Sequence, residues 1–179
     1  MARRQSCPAG PAVLLDGRHA RGDLPGRWRQ VAARPGRDRA VKVANASVDI
    51  KTAARVAVVN VTAECRKALS QAGIGRGLAV LTVPHTTCGL CVNEDEPGLR
   101  HDLEQLASHL VDLVRPQEGF HHDRVDDNAR AHLTSVLLGH SMTVPVENKA
   151  LSLGTWQSLF LIEIDGPRTR RLDMIFLGE

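Results

Sequence analysis

The sequence has no tyrosine and few aromatic residues of any kind. Aromatic residues make up 3% of its 179 residues. Proteins that bind single-stranded nucleic acids stack the bases on aromatic side chains, so no nucleic-acid partner of this kind is expected. No apolar run approaches the ~20 residues that a membrane-spanning helix requires. We therefore predict a soluble chain with no membrane partner.

Cysteines are too few to form a disulfide framework. The four cysteines are Cys7, Cys65, Cys88 and Cys91, and a chain of this size with so few is not typical of a disulfide-stabilised secreted domain. No secretory signal is expected at the start of the chain, because the apolar residues 12–15 are followed at once by Asp16 and a signal core needs roughly 7–15 apolar residues. These absences predict a reducing, cytoplasmic location.

The formal net charge of +3 is distributed unevenly. Residues 1–40 contain nine Arg and three Asp, whereas the remaining 139 residues contain 14 Lys and Arg against 17 Asp and Glu. The first segment also has four Pro and five Gly without periodicity, so it cannot bury enough apolar surface to offset its ordering entropy. We predict that residues 1–40 are a disordered extension or an artefact of the gene start. A nucleic-acid-binding arm is the weaker alternative because the arginines are scattered.

Residues 42–179 are predicted to form a single α+β domain. A leucine-rich pattern predicts a helix over residues 97–114, and shorter helices are predicted over residues 62–72 and from Asn128, the last with Leu133, Val136 and Leu137 facing inward. The first two strands and the last two strands are each predicted to form a hairpin, the latter through the turn at residues 165–168. Because strands and helices do not alternate regularly, we expect a largely antiparallel sheet or sandwich. The predicted strands cover residues 41–51, 55–60, 78–84, 86–92, 141–146, 149–153, 156–165 and 170–177.

Residues suited to chemistry concentrate in three stretches. In residues 84–97, His85 and Glu94 bracket a predicted strand that leads to a helix N-terminus, which suits phosphate. Residues 120–132 contain three His and three Asp, a density typical of a metal or acid–base site. The third stretch has Trp156 and Gln157 followed by Glu163, Asp165 and Arg168 at predicted turns.

Each stretch also has a structural interpretation. His85 can be a structural histidine, residues 123–127 can cap the following helix, and Trp156 can belong to the core. His101 and His109 lie away from the leucine stripe and are expected to be solvated. Residues three apart on a strand point to opposite faces, so Cys88 and Cys91 are predicted to be two buried structural cysteines.

Taken together and in this order, the three stretches resemble the YjbQ-type family, described as secondary thiamine-phosphate synthases. The resemblance covers about residues 42–179. Lys149 stands where the family has Gly, so the turn Asn148-Lys149 is expected to be of a different or costlier type. The matching residues are His85-Thr86, Asn93-Glu94, His122-Asp123, Asp127-Asn128-Ala129, His132, Leu138-Gly139, Ser141, Gly154-Thr155-Trp156-Gln157, Glu163, Asp165-Gly166-Pro167-Arg168 and Gly178-Glu179.

The resemblance implies a mostly antiparallel β-sandwich of about seven strands with two or three outer helices, assembled as a homotrimer whose site could lie between subunits. It also implies a transferase that couples hydroxymethylpyrimidine diphosphate with thiazole phosphate and releases pyrophosphate. Such a reaction requires neutralisation of the diphosphate and close placement of the two rings. Because the family's activity is described as secondary, the physiological reaction stays open.

On this hypothesis His85, His122 and His132 act either as ligands of a divalent metal ion, Mg²⁺ or Zn²⁺, or as hydrogen-bond donors to phosphate and as the general acid. Glu94 and Asp123 would orient imidazoles or bind Mg²⁺. The predicted catalytic residues are His85, Glu94, His122, Asp123 and His132, and the predicted substrate-binding residues are Asn93, Asn128, Trp156, Gln157 and Arg168. Two alternatives stay open: a metal-dependent hydrolase of a phosphorylated metabolite, and a non-enzymatic trimeric protein that binds a small molecule.

Overall fold

A computed structural model describes residues 40–179, and within them eight strands form two antiparallel sheets beside three α-helices. The predicted α+β class with antiparallel sheets is confirmed. The prediction for residues 1–40 lies, apart from Ala40, outside the described residues. The strands are β1 Lys42–Lys51, β2 Ala57–Asn60, β3 Gly77–Thr82, β4 Cys88–Glu94, β5 Ser141–Glu147, β6 Ala150–Leu151, β7 Gln157–Glu163 and β8 Thr169–Gly178. The helices are α1 Thr62–Ala72, α2 Pro97–His109 and α3 Ala129–Leu138, with 3₁₀ turns at Asp112–Val114 and His121–Arg124.

The two sheets and the helices α2 and α3 form three layers. The larger sheet has the order β1-β8-β3-β5-β6 and the smaller one β2-β7-β4. Strand β7 is apolar on both faces because it lies between two cores: Leu159 and Leu161 pack between the sheets, while Phe160 and Ile162 pack with Ala107 of α2 and with α3. Alternation of side chains along the strand therefore explains its uninterrupted apolar sequence.

Both predicted hairpins are wrong. Strand β1 pairs with β8 and β2 pairs with β7, so the first two strands lie in different sheets, as do the last two. The turn at residues 165–168 carries the chain from the smaller sheet to the larger one. Turn residues indicate where a chain reverses, but they do not determine which strand the next segment pairs with.

Helix α2 begins as predicted but ends earlier. The carboxylate of Glu96 accepts the backbone N–H groups of Gly98 and Leu99 at 2.9 and 2.7 Å, and Pro97 occupies the first turn. The helix ends at His109, and the apolar pattern continues past it because Val111 packs in a separate small cluster near the start of α3. His101 and His109 are exposed, as predicted. No helix within residues 40–179 is long and apolar enough to cross a membrane.

The predicted inner face of α3 is wrong. Leu133, Val136 and Leu137 are 40%, 77% and 65% exposed. The helix lies so close to β4 that a Cβ atom added to Gly89 would be 2.7 Å from the Cβ of Leu138, and only small side chains fit between them. An apolar stripe has the same periodicity whether it faces its own core or another molecule. The residues that α3 buries are Ala129, Ala131, Thr134 and Ser135.

Cys88 and Cys91 lie on opposite faces of β4, as predicted. Cys88 belongs to the core between the sheets, whereas Cys91 packs against the cluster beneath the helices. Burial raises the pKa of the Cys88 thiol to about 11 and also raises the pKa of Cys91. Thiols with raised pKa values are poor nucleophiles at neutral pH, which fits a structural role for both.

The turn between β5 and β6 is the costlier of the two predicted alternatives. Asn148 and Lys149 have φ angles of 52° and 64°, so both central residues adopt the left-handed conformation of a tight hairpin turn. Glycine adopts this conformation freely, whereas a lysine is strained in it.

Candidate functional site

Residues from all three stretches that the sequence singled out for chemistry meet at a surface cavity of about 350 Å³, which we name the His85 cavity. A second cavity of about 600 Å³ adjoins it, shares His85 and His132, and extends to Val136 and His140. The structure therefore brings four predicted site residues together, namely His85, Asn128, His132 and Arg168. The residues that line the His85 cavity are Pro84, His85, Thr86, Thr87, Asn128, His132, Asp165, Arg168 and Arg170.

Arg170 reaches this cavity from β8 and is held by a buried ion pair with Glu163. Its Nε donates to Oε2 of Glu163 at 2.7 Å and its Nη2 donates to Oε1. Glu163 also accepts the hydroxyl of Thr52 at 3.0 Å and two backbone N–H groups at 2.9 Å. Arg170 in turn donates to the hydroxyl of Thr87 at 2.9 Å. The pair thus connects both sheets to the loop that carries His85.

The charges of this pair are stable despite their burial. Burial opposes ionisation of Glu163, but the hydrogen bonds from Arg170 and the backbone outweigh it and lower the pKa of the carboxyl group. The same partner raises the pKa of Arg170 against the effect of burial. Glu163 was among the residues that the sequence singled out for chemistry but was given no role in the site, and Arg170 was not singled out. The available signal was the position of Arg170, which alternates with the inward-facing Leu172 and Met174 and therefore needs a buried partner.

His85 is held in one tautomer by the main chain. Its Nε2 accepts the backbone N–H of Arg171 at 2.8 Å. Because an amide can only donate, Nε2 carries no proton, and the proton of the neutral ring lies on Nδ1. Partial burial, followed by the charges of Arg170 and Arg171, lowers the pKa of His85. The ring is therefore a neutral N–H donor through Nδ1.

His122 and His132 are in contact beside the cavity. Their rings meet edge to face, with centroids 4.9 Å apart. Nε2 of His122 lies 3.1 Å from Oδ1 of Asn128, and Nδ2 of Asn128 donates to Oδ2 of Asp165 at 3.2 Å. Arg168 donates to the same carboxylate oxygen at 2.7 Å. A chain of hydrogen bonds thus runs from His122 through Asn128 to Asp165 and Arg168.

Asp123 has the structural role that the sequence left open. Its Oδ1 accepts the backbone N–H of Ala129 at 3.0 Å, which caps the start of α3. This carboxylate oxygen is therefore used by the helix and does not orient an imidazole in this structure.

The other predicted site residues form a second group away from the cavity. Glu94 pairs with Gln157 at one end of β4, and the His85 loop precedes the other end at Cys88. These ends are six residue steps apart along the strand, and at ~3.4 Å per step the distance is roughly 20 Å. Gln157 accepts the N–H of Gly154 at 2.7 Å, and Trp156 is 72% exposed. The predicted site residues in this second group are Asn93, Glu94, Trp156 and Gln157, and none of them lines the His85 cavity.

The histidines do not fit a single metal site in the part of the chain that the structure describes. Residues 40–179 contain no group of three or more His, Cys, Asp and Glu side chains that could hold a metal ion. Nε2 of His85 is occupied by the Arg171 amide, and Nε2 of His122 faces Asn128. Two guanidinium groups line the cavity with a single carboxylate, that of Asp165, so the charge of the lining favours an anion over a cation. The hypothesis of a divalent metal ion stays a prediction, and this geometry does not support it.

The fold and the cavity define an α+β sandwich protein whose histidines and arginines converge on one site. The chain belongs to the family described as UPF0047 protein YjbQ-like, whose model matches residues 46–179. It is 44% identical over 123 residues to a UPF0047 protein of Archaeoglobus fulgidus, covering 69% of this chain and 93% of that protein. It is 36% identical over 133 residues to the UPF0047 protein YugU of Bacillus subtilis, covering 74% and 98%.

Solved structures are similar in fold. A YbjQ-like protein of unknown function from Sulfolobus solfataricus matches with a TM-score of 0.72 and 33% identity, covering 78% of this chain and 100% of that one. A hypothetical protein from Aeropyrum pernix matches with a TM-score of 0.70 and 40% identity, covering 76% and 99%. The resemblance to the YjbQ-type family is therefore confirmed.

Proposed function

We propose that this protein is a transferase of the thiamine-phosphate synthase type, which couples hydroxymethylpyrimidine diphosphate with thiazole phosphate. The thiazole nitrogen attacks the methylene carbon of the pyrimidine, and the carbon–oxygen bond to the diphosphate breaks to release pyrophosphate. The observation that supports this proposal is the convergence of two arginines and a neutral histidine N–H on one cavity. Guanidinium and imidazole N–H groups are the donors that phosphate oxygens require.

Each of these groups has a distinct task in the proposed reaction. Nδ1–H of His85 donates to an oxygen of the leaving diphosphate. Arg168 uses Nε and Nη2 on Asp165, which leaves Nη1 to bind phosphate. Arg170 contributes its charge and aligns the loop at Thr87. Stabilisation of the developing charge by groups that are already in place is the main way in which such a site lowers a barrier.

We further propose that the active form is a homotrimer with its site between subunits. The exposed stripe Leu133, Val136 and Leu137 on α3 supports this, because Val136 also lines the cavity that adjoins His85. An exposed apolar stripe beside a site is typical of a protein interface. In such a trimer, Glu94 and Trp156 of one subunit would lie at the cavity of a neighbouring subunit, whereas within a single subunit they do not line the cavity.

The test is a two-substrate assay of the purified full-length chain, with thiamine phosphate and pyrophosphate measured by liquid chromatography and mass spectrometry. We expect product only when both substrates are present. His85→Gln and Arg168→Met should each lower the rate by about 100-fold or more, the scale of a lost proton donor or charge. His101→Gln is the matched control, because His101 is an exposed histidine on α2 outside the cavity.

Other outcomes would contradict the transferase. Release of phosphate from thiazole phosphate alone would indicate the hydrolase, which needs no second organic substrate. A rise in the melting temperature with substrate but without turnover would indicate a binding protein.

A further inference from the structure

We infer that Asp165 is a positioning residue that acts through Asn128 to keep the proton of His122 on Nε2, so that Nδ1 is the nitrogen left for chemistry. The inference rests on the proposed function only in the role that it gives to Nδ1 of His122 during the reaction. The tautomer itself is a property of the free protein and can be measured without any substrate.

The hydrogen-bonding groups allow only one arrangement. An ionised carboxylate can only accept, so the amide group of Asn128 must turn its NH₂ towards Asp165, at 3.2 Å. Oδ1 of Asn128 then faces Nε2 of His122 at 3.1 Å. Because a carbonyl oxygen can only accept, Nε2 must carry the proton. Nδ1 of the neutral ring is then an unprotonated acceptor.

Asp165 can impose this order because it is fixed on several sides. Arg168 donates Nη2 to its carboxylate and Nε to its carbonyl, both at 2.7 Å, and the Asp165 side chain is 14% exposed. The next residue, Gly166, is packed so tightly that an added Cβ would lie 2.3 Å from the carbonyl oxygen of Ala54. Although burial opposes its ionisation, hydrogen bonds from Asn128 and Arg168 hold the pKa of Asp165 below its usual value.

Two histidines of the site are thus held in opposite tautomers. The backbone of Arg171 keeps the proton of His85 on Nδ1, whereas Asp165 and Asn128 keep that of His122 on Nε2. In the proposed reaction, His85 therefore donates a hydrogen bond and His122 accepts one from an N–H or O–H of the substrate. Both ends of the Asn128 amide are used in this chain, which assigns Asn128 a positioning role rather than direct contact with substrate.

The experiment is nitrogen-15 NMR of the histidine rings in the full-length chain at alkaline pH, where the imidazoles are neutral. The signals of His122 are those lost in His122→Gln. We expect the wild-type ring to show a protonated Nε2 and an unprotonated Nδ1. In Asp165→Ala the Asn128 amide can rotate, and we expect the two nitrogen shifts of His122 to move towards each other. Asp165→Asn keeps an acceptor oxygen and should retain the wild-type pattern.

A matched control lies elsewhere in the chain. Asp95 accepts the amide of Asn60 at 2.7 Å and lies 3.3 Å from Arg100, which is the same Asn–Asp–Arg arrangement without a histidine. Asp95→Ala should therefore leave the His122 signals unchanged. A wild-type His122 that carries its proton on Nδ1, or that is a mixture of tautomers, would overturn the inference. A folded Asp165→Ala protein in which the His122 tautomer is unchanged would also overturn the inference.

A second variant covers a failure of Asp165→Ala to fold. Asn128→Ala removes the acceptor from His122 but leaves the Asp165–Arg168 turn intact, and it should produce the same change in the His122 shifts.

If the transferase assay succeeds, Asp165→Ala should lower kcat about 10- to 100-fold with little change in KM, the usual cost of losing a histidine's supporting partner. Asp165→Asn should retain most of the activity. If the assay fails, the tautomer measurement still tests the inference, because it needs no substrate.

Discussion

Glu163 and Arg170 form a two-point ion pair inside the protein, and the residue that follows Arg170 donates its backbone N–H to His85. The tautomer of His85 therefore depends on the position of β8 at this point, which the buried pair fixes. Strand pairing, core electrostatics and the state of one imidazole are thus linked through two contacts, the Glu163–Arg170 ion pair and the hydrogen bond from Arg171 to His85. A change in the pair should accordingly affect both stability and the site.

Glu163→Gln should lower the free energy of unfolding by about 3–5 kcal/mol, because it leaves the charge of Arg170 buried without its partner. The two side chains are 0% and 5% exposed, so water cannot compensate for the lost charge. Chemical denaturation at a fixed protein concentration measures the effect. Arg100→Met is the control, because its ion pair with Asp95 is exposed and should contribute less than about 1 kcal/mol. Equal stability losses in the two variants would contradict the prediction.

Acidification should destabilise the protein in two steps. The pKa of His85 in the folded state is lowered from 6.5, so the unfolded chain binds a proton more readily and the free energy of unfolding falls as the pH drops below 6.5. The pKa values of Glu163 and Asp165 are lowered from 4.5 and 3.8, so a further loss follows below those values. Denaturation midpoints measured across this range should show both steps.

His85→Gln separates the two steps of this acid response. A glutamine oxygen can still accept the N–H of Arg171, but the side chain does not titrate. The variant should therefore lose the first step and keep the second. Identical losses of stability for wild type and variant between pH ~7 and ~5 would show that His85 does not cause the first step.

Lys149→Gly should stabilise the protein by about 1 kcal/mol. The φ angle of 64° at Lys149 is strained for a side chain but free for glycine, and the gain is partly offset by the greater freedom of glycine in the unfolded chain. The backbone N–H of Lys149 keeps its hydrogen bond to the carbonyl of Gly75 in the variant. Lys149→Ala retains the strained angle, and it should show no such gain in denaturation experiments.

The elements of the fold were predictable from local sequence, but their pairing was not. Each of the eight predicted strands corresponds to a strand of the structure, because alternation and β-branched runs are local signals. The pairing of β1 with β8 joins residues more than a hundred positions apart, and no local signal specifies it. The exposed face of α3 was misassigned for a related reason, since periodicity identifies an apolar stripe but not whether that stripe is buried in the protein's own core.

The residues of the candidate site also divide into those that local sequence predicts and those that it does not. His85, His132 and Arg168 were predictable because their stretches are rich in polar residues that chemistry uses. Arg170 was not predicted, because its alternation with Leu172 and Met174 indicates burial but does not identify its buried partner, Glu163. The tautomers of His85 and His122 depend on single hydrogen-bond partners at 2.8 and 3.1 Å. Such contacts exist only once the strands and turns are in place.

Val136→Asp should dissociate the proposed trimer while the subunit stays folded. Val136 is 77% exposed on α3, so a charge there is tolerated in an isolated subunit but would be buried in an interface, where an unpaired charge is costly. Sedimentation analysis should show the mass of three subunits for the wild type and of one for the variant. Ser70→Asp adds the same charge to an exposed position of α1 and should remain trimeric. A trimeric Val136→Asp protein would place the interface on another surface, and a monomeric wild type would exclude the assembly.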